Sequence, residues 1–330
     1  MNKTKIEWCD VTWNPVTGCL HECSYCYARK MSKRFSGDIR RNLNDERCIR
    51  DGNGLYVLNE RFDVHGDYPI AFPFGFAPTL HKYRLDDPKK KAHGTNVFVC
   101  SMADLFGGWV PDEWIEQVFT ACKEAPQHNY LMLTKNPHRY EELKQKGLLV
   151  QSDNMWYGFS MTTHASSAWW DDEFKTFISF EPLLFDVGST IRGDDPIADW
   201  VIIGAETGNR KGKVVPRKEW VDNILSHCDK WHIPVFMKDS LIATVGEENM
   251  RREYPEQLLK FSHILTKNEM LNSHCGVCKK ELPKKEMTTI LGRKKRCEST
   301  YTIGYVCKKC IADFERGFDI NGKDNRGGSA

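Results

Sequence analysis

Three cysteines crowd into the stretch Gly18-Cys19-Leu20-His21-Glu22-Cys23-Ser24-Tyr25-Cys26-Tyr27, at C-x3-C-x2-C spacing with an aromatic residue before the third. Three thiolates on one short loop can hold three irons of a cubane cluster and leave the fourth iron without a protein ligand. An open iron binds small molecules, so the spacing points to a reactive cluster and away from an electron carrier closed by four cysteines. A zinc knuckle without a visible fourth ligand and three plain core cysteines are the competing readings. Core cysteines seldom crowd into so short a stretch beside a glycine and a histidine, which favours the cluster.

A second cysteine group stands near the other end. Cys275-Gly276-Val277-Cys278 and Cys307-Lys308-Lys309-Cys310 are two C-x2-C knuckles with 28 residues between them. Each offers two thiolates to one tetrahedral ion, as in a zinc ribbon; an auxiliary iron–sulfur cluster competes because four thiolates suit both, and Cys297 is spare for that case. Met287 to Leu291 and Tyr301 to Val306 read as hairpin strands between the knuckles. The stretch 279–296 carries Lys279, Lys280, Lys284, Lys285, Arg293, Lys294, Lys295 and Arg296. A solvated hairpin explains them simply, but basic loops on a zinc ribbon also track a phosphate backbone, so DNA is the partner expected here. Cys9, Cys48, Cys100, Cys122 and Cys228 read as isolated or core residues.

The chain has 330 residues, 40% hydrophobic and 28% charged, with a mean hydropathy of −0.55. That length suits one barrel-sized domain plus a small appendage. No run approaches the roughly 18 apolar residues of a membrane span, and no apolar segment follows Met1 to Lys5, so no membrane association and a cytoplasmic location are expected. Thirteen cysteines in that setting mean reduced thiols and metal sites more than disulfides. Residues 271–330 hold 13 Lys/Arg against 7 Asp/Glu, a net of +6, whereas residues 1–270 sum to −4. Polyanion contact is therefore expected at the C-terminal end.

The elements that must position the first cysteine loop follow a rhythm. Ile6 to Asp10 and Val11 to Trp13 read as one or two short strands, and Tyr25 to Phe35 as the helix after the loop. Residues 36–94 show no lasting period and are expected as an insertion packed over one barrel end. From residue 96 short apolar strands alternate with helices: strands at 96–100, 130–134, 155–160, 177–180, 200–204 and 233–237, with helices at 111–123, 137–146 and 219–227. This implies parallel β/α units in a partial or complete (β/α) barrel. Several strands end in a polar residue: Ser101 and Asp104, Thr134 and Lys135, Ser160, Glu181, Glu206 and Lys238. In a barrel these ends converge on one mouth, where barrel enzymes place their sites. The domain boundaries expected are 1–240 for the barrel, 241–270 for a helical connector with Glu247, Glu248, Arg251 and Arg252 on its solvated face, 271–318 for the four-cysteine module, and a disordered tail at 319–330.

The C-x3-C-x2-C loop with its aromatic resembles the radical S-adenosylmethionine (SAM) superfamily. More narrowly, Ile6-Glu7-Trp8, Trp13-Asn14-Pro15-Val16-Thr17-Gly18-Cys19 and Cys26-Tyr27-Ala28 resemble the opening of a phage-associated radical-SAM-like family with little assigned function. The resemblance continues in Ser101-Met102-Ala103-Asp104-Leu105-Phe106, Leu133-Thr134-Lys135, Ser179-Phe180-Glu181-Pro182-Leu183-Leu184, Asp199-Trp200-Val201-Ile202, Gly204-Ala205-Glu206-Thr207 and Val235-Phe236-Met237-Lys238, covering most of residues 5–30 and 96–240. In that family the sixth strand ends in Gly-Gly-Glu-Ser and the last in Lys-Gln-Trp-Gly; the departures here, at 204–207 and 238–240, suggest a different substrate.

The resemblance implies a radical SAM barrel with a [4Fe–4S] cluster on Cys19, Cys23 and Cys26 and SAM on the open iron, reduced by a donor such as flavodoxin or ferredoxin. Ser101, Asp104, Ser160, Glu181 and Glu206 are the candidates for holding SAM, with Tyr25 and Tyr27 near the adenine. Asp104, Lys135 and Lys238 are candidates for substrate contact or proton transfer. Phage association and the basic module together suggest a hypermodified, thymine-derived base in DNA as substrate, isomerised in a way that helps the DNA evade restriction, in a host cytoplasm. RNA, a nucleotide or a peptide is the alternative substrate, and a non-catalytic iron–sulfur and zinc module binding nucleic acid is the alternative of another class.

Overall fold

The computed structural model describes residues 1–64, 68–163, 166–188, 190–191 and 195–259, together with four strands between 272 and 307. The chain divides into two compact units, Met1–Ser262 and His263–Ala330.

In the first unit β1 (Asn2–Lys3) lies antiparallel on β2 (Val11–Trp13). β3 (Val16–Thr17) then leads into the cysteine loop, and α1 (Tyr27–Arg34) leaves it. The segment without a lasting period, expected as a packed insertion, contains α2 (Ile39–Leu43) and β4 (Ile49–Arg50), β5 (Tyr56–Leu58), β6 (Asp63–Val64), β7 (Tyr68–Pro69) and β8 (Thr79–His81). Its strands are two or three residues long, too short to show a period in sequence. β8, β5 and β4 join β3 in a sheet of order β3-β8-β5-β4, while β6 pairs with β7 alone, so the insertion shares hydrogen bonds with the chain entering the cysteine loop.

The main sheet continues with β9 (Asn96–Val99), α3 (Asp112–Lys123), β10 (Asn129–Thr134), α4 (His138–Gln145), β11 (Met155–Ser160), β12 (Lys175–Phe180), β13 (Val201–Ile203), α5 (Lys218–Lys230) and β14 (Val235–Met237). Its order is β1-β2-β9-β10-β11-β12-β13-β14, and every pair from β2 to β14 is parallel. The expected parallel β/α architecture is therefore present, although among the described residues no helix joins β11 to β12 or β12 to β13. α3 shows why helices form here. Pro111 precedes it, Asp112 and Glu113 oppose the dipole in its first turn, and Trp114, Ile115, Val118, Phe119 and Cys122 make one buried stripe against the sheet.

Alternate residues of the parallel strands face two different cores. Val97, Val99, Tyr130, Met132, Met155 and Tyr157 pack outward with α3 and α4, and Val201, Ile203, Val235 and Met237 pack outward with α5. Phe98, Leu131, Trp156, Phe177, Ile202 and Phe236 share an inner cluster with Trp8, Trp200 and Leu258. The inner face is curled. On a flat sheet Phe98 in β9 and Trp200 beside β13 would stand four strands apart, about 19 Å. Yet the Trp8 ring centroid lies 4.6 Å from that of Phe98 and 6.3 Å from that of Trp200.

The two ends of the sheet meet at the residue before that tryptophan. Glu7 Oε2 accepts from the Asp239 backbone N–H at 2.8 Å and from Arg252 Nη1 at 3.1 Å, and its carbonyl accepts from the Tyr254 hydroxyl. The expected helical connector is only partly helical. α6 (Ile242–Val245) and α7 (Glu256–Leu259) are one turn each, and between them residues 251–253 run antiparallel along β14. Arg251 and Arg252 are not a free solvated face: Arg251 holds Asp229 through both nitrogens and Arg252 spans Glu7 and Asp239. Asn96 and Asn129 bind carbonyls of α7, which puts Leu258 under the N-terminal ends of the strands.

In the second unit β15 (Asn272–His274) pairs antiparallel with β16 (Glu281–Pro283), and β17 (Met287–Arg293) with β18 (Thr300–Cys307). The hairpin expected between the knuckles is present. Cys275, Cys278, Cys297 and Cys310, the basic residues 294–296 and the tail 319–330 lie outside the described residues, as does the side chain of Cys307. Among the described residues no helix is long and apolar enough to cross a membrane.

Candidate active site

The period-two alternation that fills the curled interior with apolar side chains continues upward into polar ones. On the inner face Leu131 is followed by Leu133 and Lys135, Trp156 by Gly158 and Ser160, Phe177 by Ser179 and Glu181, Ile202 by Gly204 and Glu206, and Phe236 by Lys238. One cavity of ≈ 1350 Å³ opens at these C-terminal ends. Cys19, Cys23, Cys26, Tyr25, Tyr27, Ser101, Asp104, Lys135, Ser160, Glu181, Glu206 and Lys238 all line it.

The cysteine loop is entered through a backbone turn that requires glycine at position 18. Gly18 has φ +88°, and a Cβ there would stand 2.2 Å from the Ala77 carbonyl oxygen. Its N–H donates to the Met102 carbonyl, and the Cys19 N–H donates to Phe76, so both the main sheet and the insertion grip the loop entrance. Cys26 caps α1, its Sγ accepting from the Arg29 N–H at 3.4 Å, while an Arg29 nitrogen reaches the Cys19 carbonyl. Burial pushes the Cys19 thiol up to about 12, opposed by the His21 N–H and reinforced by Asp104, Cys23 and Cys26. Such a thiol ionises when a positive metal centre sits beside it.

Cys19, Cys23 and Cys26 all line the cavity, and a cubane, which places each thiolate on its own iron, could use such a set. Among the described residues no three His, Cys, Asp or Glu side chains converge on one metal position.

Asp104 is the knot of the site. It is buried, and its carboxylate accepts four hydrogen bonds: Oδ1 from the Thr134 hydroxyl at 2.7 Å and the Phe106 N–H at 3.0 Å, Oδ2 from the Lys135 N–H at 2.9 Å and at 2.7 Å from His21 Nε2. It ties the cysteine loop to the end of β10 and has no acceptor left for a substrate. His21, whose ring also meets Trp109 edge-on at 4.9 Å, carries that link, a role no local pattern announces.

The remaining candidates pair off. Lys135 Nζ donates to the Tyr25 hydroxyl at 3.0 Å, and that hydroxyl donates to Thr162 at 3.0 Å. The Tyr27 hydroxyl donates to the Ser101 carbonyl, and the Ser101 hydroxyl to Asn14. Lys238 and Glu181 form an ion pair that crosses directly over Gly204, whose Cβ would stand 3.1 Å from both side chains. Glu206 is clamped by both Nε and Nη2 of Arg210, at 2.6 and 2.7 Å, and that guanidinium holds its carboxyl below the usual carboxylate range. Ser160 faces the cavity, 8% exposed. Thr162, Asn14, His21 and Arg210 are the polar partners the sequence did not mark. Arg210, at i+4 from Glu206, is the one that spacing offered.

No curated protein matches the chain. Among solved structures it is similar to a spore photoproduct lyase mutant, at 11% identity over 67% of this chain and 74% of that one, with a TM-score of 0.36. It is also similar to a spore photoproduct lyase mutant with bound AdoMet and dinucleoside spore photoproduct, at 10% identity over 92% of this chain and 72% of that one, TM-score 0.35. Likeness at this level assigns neither activity nor ligand. The family model described as "Protein of unknown function (DUF5131)" matches residues 3–263, nearly the whole first unit, and the chain belongs to that family.

Proposed function

We propose that the chain is a radical SAM enzyme. The observation that carries this is the placing of Cys19, Cys23 and Cys26 on one wall of a cavity whose other walls are the polar ends of the parallel strands. A [4Fe–4S] cluster held by Cys19, Cys23 and Cys26 would, with SAM, supply reductive cleavage of the sulfonium and hydrogen abstraction from an unactivated carbon. The chain's part is to orient reactants and exclude water. Glu181 and Lys238 offer a carboxylate and an ammonium to the opposite charges of a zwitterion, with Ser101, Ser160 and Glu206 along the same wall. Tyr25 and Tyr27 present rings beside the cysteines, and Lys135, bonded to Tyr25, holds a proton at the mouth. Asp104 holds the loop instead of the substrate.

The substrate we propose is a thymine-derived, hypermodified base in phage DNA, rearranged by an isomerase reaction that helps the DNA escape restriction. The cavity supports it: at ≈ 1350 Å³ it exceeds the roughly 300–1,000 Å³ of a site for one small molecule, so cofactor and base fit together. The net charge of +6 over residues 271–330 supports a polyanion, gripped by the stretch 279–296 on a module held by zinc or a second cluster through Cys275, Cys278, Cys307 and Cys310. A reducing, cytoplasmic setting with a flavodoxin or ferredoxin as donor belongs to the same reading.

The test is anaerobic reconstitution with iron and sulfide, then SAM and a strong reductant. Release of 5′-deoxyadenosine by the wild type and not by Cys23→Ala is expected; no release from protein with a full cluster would overturn the enzyme reading. Nucleoside mass spectrometry of phage DNA made with and without the chain tests the substrate, and an unchanged nucleoside profile would exclude DNA in favour of RNA, a nucleotide or a peptide.

A further inference from the structure

An exposed apolar ridge runs from the cysteine loop along the rim of the cavity. Tyr27, Met31 and Phe35 follow one another at i, i+4 and i+8 on α1, and Ile39 and Leu43 repeat the spacing on α2. All five are between 38% and 53% exposed, where the buried seam of α1 is Ala28 and Ser32. Tyr27, Met31 and Phe35 also line the cavity, so the ridge is continuous with its wall.

The ridge is basic as well as apolar. Residues 27–50 contain eight Lys/Arg against three Asp/Glu, a net of +5, within the first 270 residues that sum to −4. Lys30 and Arg34 lie one helical turn from Tyr27 and Met31, and the Arg34 guanidinium lies 5.5 Å from the Phe35 ring centroid. Lys30, Lys33, Arg34 and Arg40 are exposed and make no ion pair among the described residues. Unpaired cations interleaved with exposed rings are what a single strand needs, phosphates on the one and unstacked bases on the other.

We propose that this ridge is the docking lip for a DNA strand whose reacting base turns into the cavity. The inference rests on the DNA substrate proposed above and adds where the strand lies. A base within a duplex cannot reach the cavity wall at the cysteines, so it must leave the stack, and its neighbours need a substitute surface. Tyr27 to Phe35 spans about 12 Å, three to four base steps at ~3.4 Å. Met31 and Phe35 replace the lost stacking partners, and Lys30, Lys33, Arg34 and Arg40 hold the flanking phosphates.

The experiment uses the reconstituted full chain and fluorescence anisotropy with a labelled 20-nucleotide thymine-containing strand across a salt series. Lys30→Gln/Arg34→Gln is expected to weaken binding about tenfold at 0.15 M salt and to flatten the slope of log K against log salt by about 1.4, at ~0.7 for each phosphate contact. Met31→Ser/Phe35→Ser is expected to weaken binding at least about fivefold with the slope unchanged. Unchanged affinity and slope in both variants would overturn the proposal. So would loss of binding only in Lys294→Gln/Lys295→Gln/Arg296→Gln, or a dimer that Met31→Ser/Phe35→Ser converts to monomer without touching DNA affinity. Release of 5′-deoxyadenosine without DNA is scored separately, so failure of the lip and failure of the radical reading give different results.

Discussion

Replacing Asp104 by Asn changes almost no volume and inverts the chemistry of half a carboxylate. The carboxylate accepts four hydrogen bonds in a site only 4% exposed. An asparagine can keep its oxygen toward Thr134 and the Phe106 N–H, which puts its amide nitrogen against the Lys135 N–H and His21. Two donors then face each other, and the Lys135 N–H is left buried without a partner. An orphaned buried donor costs about 1–3 kcal/mol, and a hydrogen bond to a charged group contributes about 1.5–3 kcal/mol. The expected destabilisation of Asp104→Asn is therefore about 2–4 kcal/mol. For a unit of this size it lowers Tm by about 4–16 °C. Because Oδ2 is also the anchor of His21, the cysteine loop loosens, and iron bound per chain after anaerobic reconstitution falls with stability. His21→Gln separates the two effects: it leaves Oδ2 with the Lys135 N–H, costs about 1 kcal/mol or less, and still lowers iron retention under chelator challenge. Calorimetry of the apoprotein and iron quantitation check this. An Asp104→Asn variant within about 0.5 kcal/mol of wild type and loading full iron would refute the assignment of Asp104 as the knot of the site.

Gly18→Ala is expected to cost more than ~2 kcal/mol, from the left-handed backbone alone about 1–2 kcal/mol plus the clash with Ala77, and to abolish iron loading; denaturant unfolding and iron quantitation check it. Trp8→Ala removes the indole that fills the curled interior and should destabilise by about 3–5 kcal/mol in the same unfolding assay. His81, fully buried between Thr17 and Tyr83, has its pKa lowered by burial, so the unfolded state binds its proton first. Stability should thus fall as pH drops below the ordinary histidine value of about 6.5, by at most about 1.4 kcal/mol per unit, and His81→Gln should remove that slope in urea melts run across pH. The pair of Glu206 and Arg210 gives a slope of the same sign in a more acid window. With the carboxyl pKa lowered, its contribution is full at neutral pH and lost as pH falls through the depressed value, so Arg210→Gln should differ from wild type at pH 7 and converge with it in acid.

Much of this site was legible in the sequence because it depends on short-range arithmetic. The cysteine spacing is local, and the polar strand ends follow from counting by two past an apolar run, which is why Lys135, Ser160, Glu181, Glu206 and Lys238 all line one cavity. What was not legible depends on partners far apart in the chain. Glu7 meets Asp239 across 232 positions and Arg252 across 245, and His21 meets Asp104 across 83; no local pattern announces such pairs. The connector misled for a related reason. Met250 to Glu253 has helix-compatible composition, but the exposed edge of β14 offers hydrogen bonds that draw residues 251–253 into an extended strip. The same edge logic holds at the other side, where β1 covers β2.

The open iron is tested most directly by electron paramagnetic resonance of the reduced, reconstituted full chain with and without SAM. A [4Fe–4S] signal whose g values change when SAM is added, and which is lost in Cys19→Ala/Cys23→Ala/Cys26→Ala, is the expected result. A signal indifferent to SAM, or a SAM-responsive signal that survives the loss of all three cysteines, would contradict it.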